Sequence, residues 1–282
     1  MSQGAQGQKV WFVTGASSGF GRELVDEVLR HGDRIVAAVR KPESLADLAR
    51  REDVLVVRLD VTKPGDVDAG ARAALDRFGR IDGLVNSAGF SIVGAVEETS
   101  EAALRETMET MFFGAVALTR AVVPIMRERR SGTIVQITSM GGITTAPGFG
   151  AYCAAKHALE GLSECMAQEL APFGVRVLIV EPGAFRTALF GSRFRSMPTI
   201  DAYASTVGPT RAFASQNDGV QPGDPAKLAA AIADAVNALS SPLRLPLGAD
   251  AVDGIRQKLG RVAADVDATE AVARATAFAR DA

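Results

Sequence analysis

Tyr152 and Lys156 stand four residues apart in a stretch, 151–170, whose composition is helical, so both side chains leave one face of a helix. A tyrosine hydroxyl ordinarily titrates near 10. An ammonium held beside it favours the phenolate and brings the group toward a pH at which it can give and take protons. The same spacing is common on solvated helices, and it gains meaning from its neighbours. Ser139 follows the apolar run 134–138, at the carboxyl end of a strand, where open α/β sheets bind their ligands. A hydroxyl there suits donation to a substrate oxygen on which charge develops, and it equally suits a turn or a helix cap.

A second set of residues has the pattern of a phosphate cradle. The stretch 14–21 places Gly15, Gly19 and Gly21 in the order Gly-x-x-x-Gly-x-Gly, with Ser17, Ser18 and Phe20 between them. It lies between the apolar run 10–14 and the helical spacing of Leu24, Val25, Val28 and Leu29. Glycines in that place let the backbone approach a pyrophosphate while helix N–H groups point at it. An ordinary tight turn is the alternative, and the strand before and the helix after argue against it. About twenty residues on, a dinucleotide site puts an acid on the ribose 2′-hydroxyl or a cation on a 2′-phosphate. Here Arg40 and Lys41 close the next apolar run. Unless both are simply solvated, the pair favours NADP(H) over NAD.

The elements that position these residues can be read from periodicity. Apolar runs at 10–14, 34–39, 54–59, 83–86, 132–138 and 175–180 alternate with helical patterns, one of them at 44–50. Such alternation means parallel strands with crossover helices, and strands this uniformly apolar suit a sheet covered on both faces. The expected fold is a single α/β domain of the doubly wound, Rossmann-like kind, spanning 9–250. Periodicity lapses over 188–225, where Phe190, Phe194, Met197, Tyr203 and Phe213 mix with Gly, Pro, Ser and Thr. That segment is expected to form a substrate lid. Helix returns at 227–239, and the tail 251–282 reads as one or two further helices.

Composition narrows the function classes. A net charge of −2 leaves no basic footprint for nucleic acid. Arg127, Arg129 and Arg130 follow an apolar helical run, where cations meet the negative end of a helix. No apolar run of about 20 residues is evident and residues 1–9 are polar, so membrane insertion and a signal peptide are not expected and the protein is read as cytoplasmic. Cys153 and Cys165, twelve positions apart on one helix, are about 18 Å from each other and cannot bridge. With His31 and His157 they do not form a zinc set, so no metal is expected.

From about Lys9 to Leu247 the chain resembles the short-chain dehydrogenase/reductases, its overall sequence being similar to hydroxysteroid- and retinol-handling members (the 17-beta-hydroxysteroid-dehydrogenase-like branch). Thr14 to Gly21 matches the family's cofactor turn, and Ser139, thirteen residues before Tyr152, completes its catalytic set with Lys156. The resemblance implies that Asp60 and Val61 lie at the adenine. It implies that Asn86, Ala88 and Gly89 belong to the Asn-Asn-Ala-Gly motif, with Ser87 as the second Asn. Pro182, Gly183, Phe185 and Thr187 match a Pro-Gly segment whose Thr helps hold the nicotinamide carboxamide. The implied activity is hydride transfer between NADP(H) and a carbonyl or secondary alcohol. Tyr152 would exchange the proton, Lys156 would tune it and bind the nicotinamide ribose, and Ser139 would polarise the substrate oxygen. The implied partners are a small-molecule substrate and further copies in a homodimer or homotetramer.

One position departs from the pattern. The family's Asn three residues before Gly114 is Met111 here, and a thioether accepts poorly from the water that links the active-site Lys to solvent. Met111 keeps open a cofactor-sensing protein without turnover, although such a protein has no chemical need of Ser139, Tyr152 and Lys156. An NADP-linked epimerisation by the same residues is a third reading. The apolar and aromatic residues of 188–213 suggest a hydrophobic substrate, or else packing onto the core or a partner subunit.

Overall fold

The computed structural model describes residues 7–278. In chain order the strands are β1 (Val10–Thr14), β2 (Arg34–Val39), β3 (Val54–Arg58), β4 (Gly83–Asn86), β5 (Ser91–Val93), β6 (Gly132–Ile137), β7 (Val175–Pro182), β8 (Phe194–Ser196) and β9 (Arg244–Leu247). The helices are α1 (Gly19–Arg30), α2 (Pro64–Phe78), α3 (Glu101–Met108), α4 (Gly114–Arg129), α5 (Gly150–Leu170), α6 (Gly208–Gln216), α7 (Pro225–Asn237) and α8 (Ala249–Arg274). Seven strands make one parallel sheet in the order β3-β2-β1-β4-β6-β7-β9. The expected doubly wound single domain is what forms.

Both faces of the sheet are covered, which is why its strands are continuously apolar. Along β1 the side chains alternate. Trp11 and Val13 pack with Leu24 and Val28 of α1 and with Leu228 and Ile232 of α7. Val10 and Phe12 join Leu118, Val122 and Met126 of α4 and Met166 of α5 on the other face. The order reverses direction between β1 and β4, so the carboxyl ends of these strands open a crevice there, the usual ligand site of such sheets.

One local expectation changes, and two are made specific. The helical pattern at 44–50 is not an α-helix: a single 3₁₀ turn, Pro42–Leu45, is followed by further turns. Leu45 and Leu48 are buried there, so the spacing registered burial correctly. The link between β2 and β3 is filled by this 3₁₀ turn and the turns that follow it. The irregular 188–225 segment contains β8, which pairs in parallel with β5, and the helix α6. The tail, as far as it is described, is one helix.

Helices α3 and α4 are continuous through a π-helical turn, Glu109–Phe113. Together, Glu101–Arg129 is long and apolar enough to cross a membrane by length and composition, which inspection for apolar runs did not anticipate. Its Leu118, Val122 and Met126 are fully buried against the sheet, and about a third of the apolar window is buried in all.

Candidate active site

The glycine turn is built from backbone because side chains would close it. Gly15 and Gly19 take φ of 67° and 53°. A Cβ on Gly15 would stand 3.0 Å from the Ser87 carbonyl oxygen, and one on Gly21 would stand 2.4 Å from that of Gly15. Thr14 Oγ1 accepts from the Ser87 and Ala88 amides at 2.9 and 3.2 Å, tying β1 to the Asn86–Gly89 segment. A Cβ on Gly19 would meet Thr187 at 3.4 Å, so the Pro-Gly segment lies directly over the turn.

Along this turn runs a cleft of about 450 Å³, lined by Gly15, Ser17, Arg40, Asp60, Val61, Ala88 and Gly89. It adjoins a smaller space bounded by Ser18, Gly19, Phe20, Thr187, Tyr152 and Lys156. Pro182, Gly183 and Phe185 border a third, next to Ser139 and Tyr152. Sequence-expected residues from distant parts of the chain thus converge. Gly21 belongs to the packing of the turn. Asn86 faces inward from β4, donating to Thr119 and Gln136, each at 3.0 Å. Of the two cations closing β2, Arg40 lines the cleft and Lys41 does not. Burial tends to raise the Asp60 carboxyl, but hydrogen bonds from Thr62 and the charges of Arg40 and Lys63 more than offset it and hold its pKa down. Arg193, which sequence reading passed over, lines both the large cleft and the Tyr152 side of it.

Ser139 combines its two expected roles. Its Oγ accepts from the Gly141 amide at 3.0 Å, capping the 3₁₀ turn that follows β6, and it lies against Tyr152. Lys156 is 6% exposed and donates its Nζ to the Ile137 carbonyl at 2.8 Å. The nitrogen stands 5.8 Å from the Tyr152 ring centroid. The electrostatics differ from the expectation that Lys156 pulls the phenol down. Burial pushes Tyr152 up to about 12, with Ser139 only partly opposing it. Burial also draws Lys156 down to about 8, against the nearby Glu160 carboxylate. Burial thus shifts both adjacent groups toward their neutral forms, although at about 8 Lys156 still carries its charge near neutral pH. Near neutral pH Tyr152 holds its proton, as a general acid must.

Glu160 is a further residue that sequence reading missed, although the i, i+4 ladder Tyr152, Lys156, Glu160 was a usable signal. It is buried on the Lys156 face of α5 and paired with Arg244 of β9 at 2.6 Å. Arg244 also pairs with Glu181 of β7 and Glu164 of α5.

Met111 lies in the π-helical turn, 2% exposed, and reaches the site. Its Sδ is 3.4 Å from where a Cβ on Gly89 would stand. A space of about 10 Å³ is bounded by Asn86, Thr110, Met111 and Lys156, the volume of a single water probe. Met111→Asn is expected to raise turnover by up to roughly tenfold, short of a full acid–base contribution, and to reduce the solvent isotope effect by relieving proton delivery. A slower variant, destabilised by about 1–3 kcal/mol through a buried unpaired amide, would mean that the chain already relays protons around Met111.

On the far side of Ser139 and Tyr152 opens a pocket of about 310 Å³ walled by Met140, Phe149, Leu189, Phe190 and Phe213. The aromatic residues of 188–213 divide between the two roles open to them. Phe190 and Phe213 line the pocket and stack edge to face at 6.1 Å. Phe194 and Tyr203 pack on the buried Val93 and Val207.

Comparison with known proteins agrees with this geometry. A 2 Å crystal structure of a short-chain dehydrogenase from Streptomyces avermitilis is 49% identical, covering 96% of this chain and all of that one, with a TM-score of 0.91. The oxidoreductase BOA17 of Botryotinia fuckeliana is 37% identical over 87% of this chain and 90% of its own. A short-chain dehydrogenase from Burkholderia cenocepacia, in complex with NADP, is 25% identical over 97% of this chain and 98% of that one, with a TM-score of 0.69. The family model for short chain dehydrogenases matches residues 9–198, which hold the glycine turn, Ser139, Tyr152, Lys156 and the Pro-Gly segment. With that match over more than half of the chain, and relatives of 37 and 49% identity along most of its length, the chain belongs to the short-chain dehydrogenase/reductase family.

Proposed function

We propose that the protein is an NADP(H)-dependent oxidoreductase acting on the carbonyl or secondary alcohol of an apolar small molecule. The observation that carries this reading is the 310 Å³ pocket, mostly apolar in its lining, that opens onto Ser139 and Tyr152. The cleft fits a dinucleotide: its glycine cradle admits no Cβ at Gly15 or Gly21, and its volume continues from Asp60 to Tyr152. Ser17, Ser18 and the α1 N-terminus would hold the pyrophosphate, Asp60 and Val61 the adenine, and Thr187 the carboxamide. When bound, the nicotinamide would supply or accept the hydride. Tyr152 gives its proton to the substrate oxygen in reduction and takes it back in oxidation, Ser139 orients that oxygen, and Lys156 holds the ribose. The segment 188–225 serves as the lid through Leu189, Phe190 and Phe213.

Similar solved structures are complexed with NADH or with NADP, so the choice of NADP(H) rests on Arg40. An arginine at the 2′-position can pair with a phosphate that NADH lacks. The expected preference for NADPH is about tenfold or more, 1.4 kcal/mol or above, and Arg40→Asp should reverse it. Titrating both dinucleotides into both proteins tests the cofactor, and NADPH oxidation across a series of ketones, aldehydes and steroids of increasing apolar bulk tests the activity. Equal affinity for the two dinucleotides would remove the NADP(H) assignment. Consumption confined to small polar carbonyls would remove the apolar substrate.

A further inference from the structure

Every described residue from Leu259 to Phe278 is exposed, so the last sixteen residues of α8 form a helix about 24 Å long that leaves the body of the protein. A free helix of that length is marginal in water. Most of its larger apolar residues, Val272 aside, fall in one register, however. Val252, Ile255, Leu259, Val262, Val266, Thr269 and Ala273 follow one another at alternating steps of three and four, a heptad seam over most of the helix. Leu259, Val262 and Val266, its three largest residues beyond the body, are 58, 43 and 59% exposed.

We infer that α8 pairs antiparallel with α8 of a second copy of this chain. Charge selects the occupant and the direction. Reversing one helix brings the same edge of each seam against itself. With Leu259 layered on Val262 of the second copy, Lys258 of each chain faces Asp265 of the other, giving two symmetric ion pairs. A parallel pair would instead set Asp265 against Glu270 of the other chain, like against like. The contact is isologous and closes as a two-fold dimer. A lipid surface is a poorer match, because α8 carries five acidic against four basic residues and no basic face. At its root α8 borders the apolar pocket through Asp250, and a Cβ on Gly254 would stand 2.8 Å from Met140. The dimer would therefore anchor an element of the pocket wall.

Sedimentation equilibrium of the full-length chain tests this. The parent protein should self-associate by one step more than Val262→Asp, whose charge in the seam should weaken that step by roughly a hundredfold. Lys258→Glu and Asp265→Lys should each weaken it by about tenfold, by replacing two attractive pairs with two repulsive ones. The double variant, Lys258→Glu with Asp265→Lys, should recover the parent's dissociation constant. Equal assembly of the parent and Val262→Asp would overturn the proposal, showing that any dimer uses another face. So would a double variant no tighter than the singles, which would leave the helix to a different partner.

Discussion

Tyr152→Phe is expected to bind NADPH as tightly as the parent chain and to turn over at least about a hundredfold more slowly, the lower size of an acid–base contribution. The substitution removes one oxygen and keeps the ring, whose packing against Phe149 at 6.1 Å and within the Phe90, Ile92 and Ala151 cluster does not depend on the hydroxyl. Affinity and activity should therefore separate. The pH dependence gives a second reading. Burial holds the phenol near 12, so reduction, which needs the protonated form, should be flat with pH through neutrality. Oxidation needs the phenolate, and its rate should climb through the alkaline range in the parent chain only. A Tyr152→Phe protein of near-parent activity, or one that keeps the alkaline climb, would show that another group carries the proton. A loss of NADPH binding in step with activity would show that the ring's position, not its hydroxyl, was disturbed.

Arg244→Ala is expected to cost about 3 kcal/mol or more of folding stability near pH 7, because it strands two carboxylates in the interior. Glu160 and Glu181 are 4 and 1% exposed, and their charges share this one guanidinium. Burial raises the pKa of both carboxyls, and for Glu181 the neighbouring Glu160 raises it further, while Arg244 opposes the rise. Acids raised in the folded state contribute stability at low pH and lose it as pH rises through their folded values. Without Arg244 those values rise again, so the deficit should be large at neutral and alkaline pH and shrink as the solution is acidified. Denaturant unfolding at a neutral and an acidic pH measures both quantities. A loss below about 1 kcal/mol, or one independent of pH, would mean that solvent reaches the cluster and screens it.

Much of this protein was determined locally, by its sequence. The crossover pattern yields the parallel sheet because a strand covered on both faces must be apolar throughout, and each apolar run between positions 10 and 180 became a strand. The glycine turn was legible because residues without a Cβ adopt φ near +60° most readily, and Gly15, Gly19 and Gly21 stand together between a strand and a helix; the backbone they lie against, at Ser87, comes from elsewhere in the chain. Tyr152, Lys156 and Ser139 could be placed by helix spacing and strand ends.

The tertiary structure decided what depends on residues meeting from afar. The sequence suggested that Lys156 would lower the phenol of Tyr152, but the fold buries both, and desolvation reverses the direction. Arg40 and Lys41 looked alike in sequence, and only the course of the chain after β2 puts one of them on the cleft. Arg244 became the partner of Glu160 and Glu181 because β9 lies beside β7 and under α5, a neighbourhood drawn from three separate parts of the chain. The tail's heptad seam was present in the sequence throughout, but whether it faced the core or solvent depended on where β9 released the chain. Spacing states which residues share a face; packing alone states what that face meets.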